Sequence, residues 1–278
     1  MYGMTYPDVT EGTLRRSGSE VHYWLAGPRD GPLVAFTPGA TMDHRMFDAQ
    51  VEAATEAGYR TLTWDVRGHG RSKPIGDGEF TVGTCAEDLA ALISAAGHEK
   101  AVLVGQSFGG YISQELYLRY PARISALVIV DSTDIKIPPN QQERLILRLT
   151  RAFFRVLPDG ARRKLTAKNV ATKPEVQRYA HEATSLLSKK EFLTVWRAVT
   201  KVFRDEPDHR IRVPLLITHG EYDRAGTIAK EAPNWAAREP DCRYRVVPDA
   251  GHNANQDNPD YFNRVLLEFL RENAPIRR

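Results

Sequence analysis

The segment Gly105-Gln106-Ser107-Phe108-Gly109 constrains this chain more than any other. It follows Ala101-Val-Leu-Val104, a short apolar run of the kind that forms a parallel strand buried on both faces. A G-x-S-x-G pattern at the end of such a strand holds a serine in a strained strand-to-helix turn, its hydroxyl lifted above the sheet. Glycine two residues to either side keeps side chains from colliding there, and Gly109-Gly110 suits a place where two backbones pass closely. The helix that follows aims its first N–H groups at the serine, where an oxyanion would form. A Gly-rich strand–helix turn can also cradle phosphate. Here no Lys stands in the P-loop position and no G-x-G-x-x-G is present.

The rest of the chain supplies the sheet that such a turn needs. Residues 13–26 read as an antiparallel hairpin turning at Gly18, and Leu33-Val-Ala-Phe36 as a buried strand ending in Thr37-Pro-Gly-Ala-Thr41. Helical patterns over 43–58, 81–97, 227–238 and 259–271 alternate with strands at 61–64, 126–130, 213–218 and 243–247. This rhythm predicts an α/β fold: a mostly parallel sheet of about eight strands with helices on both faces. Ligands bind such sheets beyond the carboxyl ends of the strands. Ser107, Gly39, His69 and Asp131 all lie at those ends.

Between Lys136 and Arg212 the rhythm stops. Leu145, Leu149, Phe153, Val156 and Leu157 recur at helical spacing, as do Phe192, Val195, Trp196, Val199 and Phe203. Residues 136–212 are therefore expected to be a helical cap inserted into a core made of 1–135 and 213–278. An apolar helix face must bury against something, so the cap should roof the pocket. Met42, Phe153, Phe154, Trp196 and Phe203 are candidates to line it; the bland alternative is that most of them hold the cap to itself. The cap carries 18 Lys and Arg against 8 Asp and Glu, a net of +10 in a chain of +3. That asymmetry fits either attraction of an anionic substrate or a solvated helical surface.

A serine hydroxyl needs a base within hydrogen-bond reach, and the base needs a group to fix its tautomer. Of eight histidines, His252 follows the last strand on a loop in which Gly251 can turn tightly. His44 and His69 sit at the correct edge but suit pocket lining or loop scaffolding, and His219 ends a strand where a structural hydrogen bond fits. Asp223 follows the strand before His252. Asp131, after the strand that follows Ser107, is its rival. The chain order Ser107, Asp223, His252 is that of the nucleophile-elbow fold.

With Pro38-Gly39-Ala40, Asp65-Val-Arg-Gly-His-Gly-Arg-Ser72, the Ser107 turn, Gly220-Glu-Tyr-Asp223 and Gly251-His252 in order, the whole chain resembles the α/β-hydrolase superfamily. The likeness is greatest to its cap-bearing esterases, lactonases, C–C hydrolases and cofactor-free perhydrolases. The resemblance implies an oxyanion hole made by the backbone N–H groups of Ala40 and Phe108. It departs at Pro38, where the family usually has His, so hydrogen bonding around that turn must differ. Haloalkane dehalogenases and epoxide hydrolases of this family carry Asp at the elbow. Serine there implies an acyl-enzyme, hence esters, thioesters, lactones or activated ketones.

The expected activity is hydrolysis of a small ester or lactone, with no metal and no organic cofactor. C–C hydrolysis or perhydrolysis on the same triad is the nearest alternative, and a slow-turnover ligand receptor the alternative of another class. Composition narrows the setting. At 42% apolar and 26% charged the chain is an ordinary globular protein. No apolar run approaches the roughly 20 residues of a membrane span, and the first residues lack the regions of a signal peptide. Two cysteines, Cys85 and Cys242, make neither a disulfide framework nor a metal spacing. A cytoplasmic monomer or homodimer that binds no nucleic acid is the expectation.

Overall fold

In the computed structural model, which describes residues 9–276, eight strands form one sheet. Strands β1 (Thr10–Arg16) and β2 (Ser19–Ala26) are the expected hairpin, turning through Ser17 and Gly18 at positive φ. The others are β3 (Leu33–Thr37), β4 (Arg60–Trp64), β5 (Ala101–Gln106), β6 (Ile124–Val130), β7 (Leu215–Gly220) and β8 (Cys242–Val247). Their order in space is β1-β2-β4-β3-β5-β6-β7-β8. The first two pairings, β1 with β2 and β2 with β4, are antiparallel and the rest parallel.

Every residue of β3, β4, β5 and β7 is buried, as parallel strands covered on both faces require. Alternation along each strand divides two cores. Leu103, Leu127, Ile129 and Ile217 face α2 (Val82–Ala95), α3 (Phe108–Arg119) and α8 (Ile228–Arg238). Val102, Val104, Val128 and Leu216 face α1 (Asp48–Glu56) and α10 (Pro259–Asn273), which follows the single turn α9 (Ala254–Asp257). The helix expected over 43–58 begins instead as a 3₁₀ turn, His44–Phe47, capped by the Asp43 carboxylate, and becomes α-helical only at Asp48. From β3 the chain moves outward to β4, then crosses back to β5. The carboxyl ends of β3 and β5 therefore flank a topological switch point. The loop after β4 is locked by a buried, two-pronged Arg67–Asp88 ion pair at 2.6 and 2.7 Å.

Four helices connect β6 to β7: α4 (Gln141–Val156), α5 (Asp159–Val170), α6 (Pro174–Ser185) and α7 (Lys189–Lys201). Asn140 with Glu143, and Ser188 with Glu191, close capping boxes at the starts of α4 and α7. The apolar face read over 144–157 is exposed rather than buried: Leu145, Leu149, Phe153 and Val156 all face solvent. Phe154 alone on that helix is fully packed, against Phe192 and Trp196. Consecutive helical residues point about 100° apart, so seating Phe154 turns Phe153 outward.

Candidate active site

At the end of β5 the backbone turns sharply into α3. Ser107, between them, has φ +50° and ψ −112°, a conformation that L-residues avoid. Its N–H donates to Val130 O at 2.8 Å, and its carbonyl accepts from Ser132 Oγ at 2.8 Å, so the end of β6 and the loop after it hold both sides of the strained residue. The two flanking glycines are sterically required. A Cβ on Gly105 would lie 2.3 Å from Gly109 O, and one on Gly109 would lie 2.1 Å from Thr37 O. The second contact seats the 37–40 turn directly on the start of α3. Gly109→Ala is therefore expected to destabilise the protein by about 3 kcal/mol, the upper range for overpacking. Thermal denaturation beside Gly160→Ala checks it, since a Cβ at Gly160 meets nothing within 4 Å. Equal midpoints for the two variants would refute the close approach.

Ser107 is partly accessible, whereas Phe108 behind it is buried. Among the described residues, neither the Ala40 nor the Phe108 amide N–H has an acceptor within the protein. Both belong to the two backbone turns that meet at Gly109.

The loops after β7 and β8 run in backbone contact. A Cβ on Gly220 would lie 2.0 Å from Gly251 O, and Tyr222 N–H donates to Ala250 O at 2.8 Å. This brings His252 Nδ1 to 3.1 Å from both carboxylate oxygens of Asp223. Gln106, next to the serine, donates from Nε2 to His252 O at 2.7 Å and so ties that loop to the elbow. Asp223 also accepts the Ala225 N–H at 2.8 Å.

Asp131 does not compete with Asp223 for one position; the two stand side by side. Ligating atoms of Asp131, Asp223 and His252 all fall within 4.8 Å of one another. The Asp131 oxygens accept the Gly220 N–H at 2.8 Å and the Ala254 N–H at 3.1 Å. It thereby pins the end of β7 to the loop that carries His252. Complete burial, and then the neighbouring Asp223 charge, push Asp131 well above the ordinary carboxylate range. Burial works against the Asp223 charge too, but the adjoining His252, by charge and hydrogen bond, and the Ala225 N–H hold it below that range. The two environments push the acidities of the pair apart and favour the charge on Asp223, the carboxylate that faces the imidazole.

The remaining histidines at this edge serve the scaffold. His44 is 2.8 Å from Asp65 and stacks on Trp24, fully buried His69 lies 3.2 Å from Arg67 O, and His219 bridges Gly220 O and Tyr244. Of the pocket candidates, Met42 is buried with its sulfur 3.9 Å from the Asn253 amide, beside His252. Phe154 and Trp196 pack on each other and on Phe192, Phe203 lies edge-on to Tyr111, and Phe153 is exposed.

The reading of the sequence missed Asp257. Its carboxylate accepts N–H groups from Gly251, Thr172 and Lys173, binding the His252 loop to the segment between α5 and α6. Asn253 N–H donates to Val170 O at 2.6 Å and strengthens the same joint. An acid just before Asn258-Pro259, ahead of a helix, was the available signal, and it reads equally as an ordinary helix start.

Known proteins match this chain along nearly its whole length. The chain is 26% identical to the bifunctional esterase/perhydrolase DCH of Acinetobacter calcoaceticus, over 92% of this chain and 98% of that protein. It is 25% identical to 3-oxoadipate enol-lactonase 1 of Acinetobacter baylyi, over 92% and 95%. A thermophilic esterase from Thermogutta terrifontis superposes with a TM-score of 0.82 at 23% identity, covering 95% of this chain and 99% of its own, a likeness of fold. The model of the alpha/beta hydrolase fold matches residues 32–259, from the turn before β3 to the start of α10, a stretch that takes in the elbow and both loops opposite it. On that match the chain belongs to the alpha/beta hydrolase fold family.

Proposed function

We propose that this protein is a serine hydrolase that cleaves carboxylic esters or lactones through an acyl-enzyme on Ser107. The observation that carries this reading is His252 Nδ1 seated 3.1 Å from both oxygens of Asp223, on a loop fastened to Gln106 beside the serine. Asp223 fixes the tautomer with its proton on Nδ1 and leaves Nε2 as the base. Ser107 Oγ attacks the substrate carbonyl while Nε2 takes its proton. The amide N–H groups of Phe108 and Ala40 donate to the oxyanion, each worth ~3 kcal/mol, roughly 10²–10³ in rate. The imidazolium then protonates the leaving alcohol, and the C–O bond breaks. Water, deprotonated by Nε2, attacks the acyl-enzyme, and Ser107 recovers its proton as the acid departs. The helices α4–α7 serve as a cap over this site, joined to its base through Asp257.

A panel of p-nitrophenyl esters and lactones tests the reading. Rapid mixing with an excess of the best ester should give a burst of about one p-nitrophenolate per chain before steady turnover. Turnover of none of these substrates would count against it. Likeness to the esterase/perhydrolase of A. calcoaceticus favours one second reading, in which hydrogen peroxide replaces water and yields a peracid. Product analysis with peroxide present separates the two.

A further inference from the structure

Helix α4 is held to the protein along one narrow side. Phe154 packs between Phe192 and Trp196 of α7, with ring centroids 5.1 and 5.2 Å away. Leu145, Ile146, Leu149, Phe153 and Val156 stay 49–75% exposed. Four of them, at 145, 149, 153 and 156, recur as i, i+4, i+8 and i+11, one continuous stripe along the helix. A bare row of large apolar side chains is an unusual surface for a protein surrounded only by water.

Beside that stripe runs a second one of opposite character. Arg144, Arg148, Arg151 and Arg155 follow the spacing i, i+4, i+7, i+11. Among the described residues, Arg148, Arg151 and Arg155 have no carboxylate partner. These arginines line an open groove of about 830 Å³, shared with Arg197 and Lys201 of α7 and with the apolar Leu147 and Leu193. The groove takes its charge from a segment, 136–212, that holds 18 Lys and Arg against 8 Asp and Glu.

The geometry points to α4 as an interfacial helix that lays this cap on an anionic phospholipid bilayer. Such a surface offers both chemistries at one depth. The apolar stripe enters the acyl boundary, about 5–10 Å deep, while the arginines extend to the phosphates above it. A nucleic acid would satisfy the arginines and leave the five apolar side chains in water. A second copy would cover the apolar stripe but bring two arginine rows together with no acid between them. No helix among the described residues is long and apolar enough to cross a membrane, so α4 lies on the bilayer rather than through it.

Vesicle flotation with the full chain tests this, and it does not depend on the Ser107 reading, because the inactive Ser107→Ala variant should float equally well. Vesicles of equimolar phosphatidylcholine and phosphatidylglycerol should bind the protein more than about 10-fold better than phosphatidylcholine alone, each arginine contributing about five-fold. Raised salt should weaken the binding. Leu145→Ser with Leu149→Ser, and separately Arg148→Gln with Arg151→Gln, should each lower it by about 10-fold or more. All four positions are exposed, so turnover of a short water-soluble ester and the melting temperature should not change. No binding to the anionic vesicles, equal binding to both compositions, or undiminished binding by either double variant overturns the inference. So does a dimer in light scattering that the leucine variant dissociates, with no capture by vesicles; the stripe would then be covered by a second copy.

Discussion

Ser107→Ala should lose about 10⁴-fold or more of its ester kcat/KM while remaining folded, and adding His252→Ala should cost little more. The serine and the imidazole act as one unit, so removing either leaves only binding and the oxyanion hole. The elbow adds a second readout. Ser107 sits at φ +50°, ψ −112°, where a side chain stores about 1–3 kcal/mol of strain and glycine stores little. Ser107→Gly should therefore be as inactive as Ser107→Ala but melt higher, by about 2 °C or more for a domain of this size. Differential scanning calorimetry of the two variants measures this. An alanine variant more stable than the glycine variant would mean that the turn is not strained, and residual activity near wild type would place the nucleophile elsewhere.

The two neighbouring carboxylates should respond very differently to the same change. Asp223→Asn removes the charge facing His252 and allows the wrong tautomer, so kcat should fall by about 10⁴-fold. Asp131 instead accepts two backbone N–H groups, from Gly220 and Ala254, and burial with the adjacent Asp223 charge pushes its pKa up. Asparagine there keeps one carbonyl acceptor but leaves one of those N–H groups without a good acceptor. The expected loss is about 10-fold in kcat with about 1–3 kcal/mol of stability. The acidic limb of the pH–rate profile should stay where it is in Asp131→Asn, because Asp223, the carboxylate in contact with the imidazole, is kept. If Asp131→Asn proves the more damaging substitution, or moves that limb, the orienting role belongs to Asp131.

Much of this site could be read from the residues because its parts lie at the ends of buried strands. A run such as Ala101–Gln106 announces itself by composition, and the glycines around Ser107 leave few other conformations. What could not be read depends on neighbours in space. Asp131 and Asp223 were alternatives in sequence. Only the pairing of β6 with β7 makes them adjacent, one facing the imidazole and the other facing backbone N–H groups. Helix α5 was missed because Arg162, Arg163, Lys164 and Lys168 interrupt any apolar stripe, and α6 because its buried face is made mostly of the small residues Ala180, Ala183 and Thr184, although Pro174 at its start was a usable signal. The stripe on α4 was seen, but periodicity says which residues share a face and not whether that face turns inward. The joint made by Asp257 links residues 85 positions apart and leaves no pattern in the chain.

The proposed chemistry requires Ser107 to form a covalent bond with a carbonyl-like electrophile, with His252 as the base. Labelling with a p-nitrophenyl alkylphosphonate, followed by digestion and mass spectrometry, tests this most directly. The prediction is one adduct per chain on the peptide containing Ser107, formed at a rate that collapses in His252→Ala. An adduct on a different residue, or phosphonylation of Ser107 that proceeds equally fast without His252, would contradict it.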